Sequence, residues 1–142
     1  MLLELEYRKM NKPLLLNITQ DITTTLIDGD VVNNPIYGYS NNRLRINSMF
    51  IANSDTADAD STLYVRLVKT IYNDFNPVTD EFGSDDENTT VETINLLYKV
   101  ILPSGTTLKM DSDVFKDVDF KEYELQIFSA NAEVDVTINF KN

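Results

Sequence analysis

Carboxylate side chains are the groups in this chain whose type and spacing could support chemistry. Asp55, Asp58 and Asp60 follow one another closely, and the segment Asn73–Glu92 contains many acids but no Lys or Arg. Clustered carboxylates can supply the oxygen ligands that calcium prefers. Neither cluster has the central Gly and the terminal Glu of an EF-hand loop in place, so for both we predict solvated acidic turns and no metal site, with calcium as the open alternative. The second cluster consists of Asp80, Glu81, Asp85, Asp86 and Glu87.

The composition restricts the other chemistry that the chain could perform. It contains no Cys and no His, which excludes a disulfide, a thiol nucleophile, an imidazole base and soft ligands for zinc, copper or iron. A glycosidase works with two nearby carboxylates. Among 23 acidic residues some pair will lie close together by chance, so such a pair would not indicate a glycosidase. No motif marks a Ser–Lys pair. We therefore predict a protein that is not an enzyme, with no catalytic residues and no cofactor.

Isolated aromatic residues in polar segments indicate recognition surfaces. Tyr37 and Tyr39 lie beside Asn and Ser in a turn-rich segment, and Phe75 and Phe82 lie in the acidic one. The alternative is that these rings pack over their own domain. Met1–Lys12 either completes a sheet or pairs with the edge of a neighbouring subunit. The predicted partner interface comprises Leu2, Leu3, Leu5, Tyr37, Tyr39, Phe75 and Phe82.

Length and charge limit the architecture and the partners. A chain of 142 residues is typical of one domain, here 1–142. With 12 basic and 23 acidic residues, the net charge of -11 opposes binding to nucleic acid, where basic side chains release counterions, and to anionic membranes. No apolar stretch is long enough to span a bilayer, and no signal peptide is visible. We expect neither nucleic acid nor a membrane as a partner.

Alternation of apolar and polar residues predicts antiparallel strands. It is clearest in Glu133–Lys141 and in Tyr123–Phe128, and the polar stretch Ser129–Ala132 between them predicts a hairpin. No window has the spacing and caps of a helix. We therefore predict an all-β chain.

Further strands follow from the same pattern. Thr62–Tyr72 and Thr93–Leu102 are predicted core strands, and Arg43–Asn53 is a strand with a bulge near Asn47–Ser48, where the alternation breaks. A short strand is predicted at Thr106–Met110. In Thr93–Leu102 the residues expected to share the core face are Ile94, Leu96, Tyr98, Val100 and Leu102. The remaining predictions are β-favouring segments at Leu14–Thr19 and Ile22–Ile27, a brief strand or loop at Val114–Phe120, and a long acidic loop at 73–92.

Short strands separated by turns indicate a sandwich or a small barrel. We predict an antiparallel β-sandwich of jelly-roll or immunoglobulin-like form. Residues 1–42 supply an N-terminal arm or extra strands, and residues 43–142 form the sandwich core with the acidic loop 73–92.

Several motifs of the second half of the chain resemble those of a known family. They are the strands Arg43–Asn53 and Thr62–Tyr72, the turn Leu102–Leu108 (LPSGTTL), and the strands Tyr123–Ala130 and Val134–Ile138. They are similar to the x-P-x-G-T-x-L turn, the L-x-(I/V)-x-A/S strand and the final D-V-x-(V/I)-x-(Y/F) strand of small β-sandwich virion proteins of tailed bacteriophages. The resemblance covers residues 43–140, about two thirds of the chain.

The resemblance implies a structural protein of the virion without enzymatic activity. It implies a capsid decoration or cement protein, or a neck or tail accessory protein, present in many copies or as a homo-oligomer and bound to the major capsid protein or other virion proteins. Negative charge is repelled by packaged DNA, so we expect synthesis in the host cytoplasm and a place on the outside of the head or in the neck or tail. The alternatives are a carbohydrate- or receptor-binding module that stacks Tyr37 and Tyr39 on sugar rings, and a carboxylate-based hydrolase.

Overall fold

The structure, a computed structural model, describes residues 12–28, 44–72, 89–120 and 122–141. Eight strands and one short 3-10 helix (Ser112–Val114) lie within these ranges. The strands are β1 (Leu14–Ile18), β2 (Thr24–Ile27), β3 (Ile46–Asn53), β4 (Ser61–Tyr72), β5 (Thr89–Leu102), β6 (Thr107–Asp111), β7 (Glu124–Ala130) and β8 (Val134–Phe140).

The strands form two four-stranded antiparallel sheets, which confirms the predicted all-β sandwich. One sheet has the order β1-β8-β3-β6 and the other the order β2-β7-β4-β5. β1 pairs with β8 and β2 pairs with β7. The segment predicted as an arm or extra strands therefore contributes one edge strand to each sheet.

The core lies between the sheets and follows the predicted alternation. Leu63 and Val65 of β4 are fully buried, as are Leu125 of β7 and Val134 and Ile138 of β8. Burying alternate apolar side chains removes their surface from water, which is the main force that holds two such sheets together. The polar residues between them face outwards.

The bulge predicted near Asn47–Ser48 is confirmed. The register between β3 and β8 shifts between Ile46 and Ser48. Even-numbered Ile46, before the shift, and odd-numbered Met49 and Ile51, after it, are consequently all buried. One extra residue lets all three apolar side chains point into the same core.

The hairpin predicted between the last two strands is wrong. β7 pairs with β2 and β4 in one sheet, whereas β8 pairs with β1 and β3 in the other. Asn131, Ala132 and Glu133 form the connection, and Asn131 has a φ of 72°, a left-handed conformation that Asn tolerates well. Strands that face each other across a core alternate in the same way as paired neighbours. The sequence pattern therefore could not distinguish the two arrangements.

The prediction of a core strand at Thr93–Leu102 is also wrong, because β5 is the edge strand of its sheet. Of the residues expected to face the core, only Leu102 is buried, at 5% exposure, and Tyr98 is 59% exposed. The strand also begins earlier than predicted. Thr89–Glu92, which the sequence assigned to the acidic loop, pair with β4.

The segment Val114–Phe120 takes the loop alternative. After the 3-10 helix the chain runs through turns to β7, and Phe115 and Phe120 are 3% and 1% exposed. These two rings close one end of the core. The short strand predicted at Thr106–Met110 is present as β6.

A buried amide joins separate segments at one end of the sandwich. Asn53, which is 3% exposed, donates through Nδ2 to the carbonyl oxygens of Ala59 (2.8 Å) and Leu102 (3.0 Å). Its Oδ1 accepts the N–H of Asp55 at 3.1 Å. The side chain therefore ties the β3–β4 connection to the end of β5.

We predict that Asn53→Ala lowers the free energy of unfolding by about 1–3 kcal/mol, because it leaves buried backbone groups without partners. Urea unfolding followed by circular dichroism measures this. Asn95→Ala, at an exposed Asn of β5, is the matched control and should change the value by less than about 0.5 kcal/mol. Equal stability of the two variants would contradict the role assigned to Asn53.

Candidate functional site

None of the side chains of the predicted partner interface lies among the described residues. Leu2, Leu3, Leu5, Tyr37, Tyr39, Phe75 and Phe82 all fall outside the described ranges, and so do Asp80, Glu81, Asp85, Asp86 and Glu87. Their roles stay predictions. The described residues present two other places to examine, the Asp55 turn and the outer face of one sheet.

The carboxyl of Asp55 organises a turn and contacts backbone groups from two segments. It accepts the N–H of Glu133 on Oδ1 (3.1 Å) and those of Ala57 (3.1 Å) and Ala59 (3.3 Å) on Oδ2. Asp60 accepts the N–H of Ser104 at 3.3 Å. Within the described ranges, no group of three or more acidic side chains is arranged to hold a metal ion.

The hydrogen bonds also change the acidity of Asp55. The N–H of Glu133, and after it that of Ala59, hold the pKa of the Asp55 carboxyl below its ordinary value, because they stabilise the charged form. A carboxyl whose pKa is lowered by folding stabilises the folded state while it is ionised. Asp55 is therefore a structural residue of the turn.

The second place is the outer face of the β2-β7-β4-β5 sheet, the face turned away from the core. Directly paired residues of neighbouring strands point to the same side of a sheet. The register pairs Tyr64 with Phe128 and Arg66 with both Gln126 and Asn95. These residues, together with Thr62, Tyr98, Ile101 and Ala130, define the part of the outer face considered below.

Two irregularities in β5 decide which of its side chains reach this face. Leu63 pairs with Val100, but Val65 pairs with Leu97, so β5 carries an extra residue there. In regular pairing Tyr98 would lie opposite Val65 and point into the core. Because of the extra residue, Tyr98 lies beside Tyr64 on the outer face.

The second irregularity lies at the next residue of β4, where Arg66 pairs with Asn95. Regular pairing from Leu97 would place Leu96 there. The extra residue brings an amide to the outer face in place of an apolar side chain. Lys99, between Tyr98 and Val100, has a φ of 54°, an uncommon conformation for a residue with a side chain. Bulges of this kind are frequent where a sheet must direct particular side chains to a site.

Three aromatic rings from three strands meet on the outer face. The ring centroids of Tyr64 and Tyr98 are 5.5 Å apart with an interplanar angle of 84°, and those of Tyr64 and Phe128 are 5.9 Å apart at 66°. Edge-to-face pairs at these distances attract each other. The Nζ of Lys99 lies 5.4 Å from the Tyr98 centroid, a cation–π distance. The rings are thus held in a fixed, non-coplanar arrangement.

A chain of polar side chains borders the rings. Arg66 donates from Nε to Gln126 Oε1 at 3.0 Å, and Gln126 donates from Nε2 to Glu124 Oε2 at 2.8 Å. Gln126 therefore holds the guanidinium in place, and the remaining N–H groups of Arg66 are further donors beside the rings. The three side chains are partly buried.

Rings and polar groups together enclose an open cleft of about 350 Å³ on the outer face. The three aromatic residues, Arg66, Asn95 and Thr23 line it. A concave surface that is mostly apolar and carries a few oriented polar groups is the usual form of a binding site for a small ligand. Its chemistry is stacking and hydrogen bonding.

The sequence analysis did not identify this cleft. Tyr64 and Phe128 could have been found, because both occupy the outward parity of strands whose other parity is buried. Tyr98 could not, because it lies in an unbroken apolar parity from Ile94 to Leu102 that hides the irregularities of β5. The prediction placed Tyr98 in the core for that reason.

Comparison with known proteins assigns no family to the chain. No protein-family model matches it, and no curated protein matches it either. The part of the chain that the structure describes contains no helix long and apolar enough to cross a membrane.

We predict that Asp55→Asn lowers the free energy of unfolding at neutral pH. The difference in free energy of unfolding between the variant and wild type should become smaller in acid. The lowered pKa means that the stabilisation by Asp55 is present above the unfolded-state pKa of about 3.9 and is lost as the pH falls through the folded-state value. Urea unfolding at about pH 7 and about pH 3 measures this. Asp117→Asn, at an exposed carboxyl, is the control. A gap of the same size at both pH values would argue against the ionised Asp55 contacts.

Proposed function

We propose that the chain is a non-enzymatic structural protein of a tailed bacteriophage particle, of the decoration or cement type, attached to the outer surface. The resemblance over residues 43–140 and the all-β sandwich support this proposal. The observation that carries it is a two-stranded ribbon at one end of β4 and β5 that projects beyond the rest of the sheet.

The β4–β5 ribbon consists of Lys69–Tyr72 and Thr89–Glu92. β7 pairs with β4 from Thr62 to Val68, whereas the pairing of β4 with β5 continues to Tyr72 and Thr89. Among the described residues no third strand pairs with the ribbon, and Lys69 at its base forms an ion pair with Glu122 at 3.2 Å. A two-stranded pair is only marginally stable in water by itself. Such a ribbon gains most when it contacts a partner.

Exposed apolar side chains lie at this end of β5. Val91 is 63% exposed and Ile94 is 42% exposed. Val91 points to the outer face and Ile94 to the inner one, according to their pairing with Thr70 and Leu67. Val91 on the ribbon and Ile94, two residues beyond its end, thus expose apolar surface on opposite faces, which is the composition expected of a docking element. The predicted contacts Phe75 and Phe82 belong to the segment that joins the two strands of the ribbon.

We further infer that the sandwich is a jelly roll. Eight strands in two four-stranded sheets support this choice, because an immunoglobulin constant-type domain has seven strands in sheets of four and three. Jelly rolls occur in viral capsid domains and in lectins.

Charge and copy number complete the proposal. A net charge of -11 disfavours a position against packaged DNA, so the outer surface of the head is the expected location. Many copies, each bridging neighbouring capsid subunits, turn modest contacts into strong stabilisation through effective concentration. The partner is then the major capsid protein, and a neck or tail location is the alternative.

The location is tested on gradient-purified particles of the phage that encodes the chain. An antibody against the chain should label intact, nuclease-treated particles around the head. Labelling of the neck or tail would favour the accessory alternative, and labelling only after rupture would refute the outer position. A chain that never sediments with particles would refute the virion role.

The docking element is tested by adding purified protein back to particles that lack it. We expect Val91→Ser/Ile94→Ser to reduce co-sedimentation by about tenfold or more, because both exposed apolar contacts are lost. Leu15→Ser is the matched control, since Leu15 is 68% exposed but lies on β1 of the opposite sheet. Equal loss in the control, or none in the double variant, would remove the ribbon from the interface.

A further inference from the structure

We propose that the cleft between Tyr64, Tyr98 and Phe128 is a binding site for a neutral saccharide. This inference goes beyond attachment to a particle, and it does not rest on the virion assignment. It uses a site distinct from the Tyr37 and Tyr39 segment, which lies outside the described residues. On β5, the cleft residues Asn95 and Tyr98 lie four and seven residues from the exposed Val91, so a ligand in the cleft and a partner on the β4–β5 ribbon occupy different parts of the strand.

The aromatic walls of the cleft match the apolar side of a sugar ring. A pyranose has patches of C–H groups that pack on the face of an aromatic ring, whose electron-rich surface attracts them. Tyr64 stands at 84° to Tyr98 and at 66° to Phe128. Rings at these angles form walls and not a flat platform. A concave site of this shape fits a compact sugar ring better than it fits an added β-strand.

The polar groups of the cleft match the hydroxyls of a sugar. Neighbouring hydroxyls both donate and accept hydrogen bonds, so they need partners of both kinds. Asn95 offers an amide that can do both, Arg66 offers donors, and Thr23 offers a hydroxyl. Gln126 fixes Arg66 through the bond to Nε at 3.0 Å. A site with oriented donors loses less entropy on binding than one whose side chains must be ordered first.

Charge favours a neutral ligand over an anionic one. Arg66 is a cation beside the cleft, but it is linked through Gln126 to the carboxylate of Glu124. The chain as a whole carries a net charge of -11. The field of the protein therefore repels sialylated or sulfated glycans and does not act on neutral ones.

The backbone of β5 supports a dedicated site. Without the first extra residue Tyr98 would point into the core and the cleft would lose one wall, and the second extra residue places Asn95 opposite Arg66. The left-handed conformation of Lys99, with a φ of 54°, lies in the same stretch. Uncommon backbone conformations are retained where a site needs them.

The test uses the full chain on an array of neutral oligosaccharides of glucose, galactose, mannose and N-acetylglucosamine, with sialylated and sulfated glycans alongside. We expect retention by one or more neutral glycans. Titration of isotope-labelled protein with the best neutral probe should then shift the amide signals of Tyr64, Asn95, Tyr98 and Phe128. Retention of anionic glycans alone, or no retention, would overturn the proposal.

Variants identify the site. Tyr98→Ala should weaken binding of that probe by about tenfold or more, and Tyr98→Phe, which keeps the ring, should stay within about threefold. Ile101→Ala is the matched control, because Ile101 is 58% exposed on the same strand but does not line the cleft. Tyr98 is itself 59% exposed, so its loss should not unfold the chain, which circular dichroism checks.

Two results would refute the assignment of the saccharide to this cleft. One is unchanged binding in Tyr98→Ala and Asn95→Ala. The other is a cleft that retains aromatic peptides but no glycan, which would identify a protein-docking surface instead.

Discussion

The short connection between β7 and β8 is the constraint on which the rest of the sandwich depends. Both strands are inner strands, each in a different sheet, and only three residues join them. The Oγ of Ser129 donates to the carbonyl of Ala132 at 2.6 Å, so the buried hydroxyl of Ser61, also 2.6 Å away, must donate to Ser129. Asp21 and Asp55 accept the N–H groups of Asn131 and Glu133. A strand of one sheet and the β1–β2 and β3–β4 connections, each of which joins the two sheets, thus hold this connection in place.

Most consecutive strands of this chain lie in different sheets, so a change in the length of one strand or connection disturbs both sheets. Among the eight described strands, β4 and β5 are the only consecutive pair in one sheet. Their hairpin can therefore lengthen without disturbing the opposite sheet. The structure uses this freedom twice, since the far end of the pair extends as a ribbon and its middle carries the irregularities that form the cleft. The docking proposal and the cleft proposal both depend on this pair of strands, to which the cleft adds Phe128 of β7 and Thr23.

The sequence predicted the strands well and their neighbours poorly, for physical reasons. Alternation reports which side chains are buried, and it correctly identified the core residues of β4, β7 and β8. It does not report whether two strands pair or face each other, which is why the hairpin prediction for β7 and β8 failed. A bulge is visible only when it interrupts a clean pattern. Asn47–Ser48 interrupts one in β3, whereas Leu96, Leu97 and Ile101 obscure those of β5. The candidate cleft depends on these hidden shifts.

The irregularities of β5 also have a consequence for solubility. A long edge strand offers free N–H and carbonyl groups to any other strand, and edges are commonly protected by bulges and Lys residues. β5 has fourteen residues, and its two register shifts and Lys99 lie in its second half. Regular strand addition is obstructed there, so a partner of this half must bind the side chains of the outer face and not the strand edge. The straight half, Thr89–Ile94, lacks this protection and coincides with the exposed Val91 and Ile94. The exposed Val91 and Ile94 therefore lie where the edge is least protected, which is the position that the proposed docking to a partner requires.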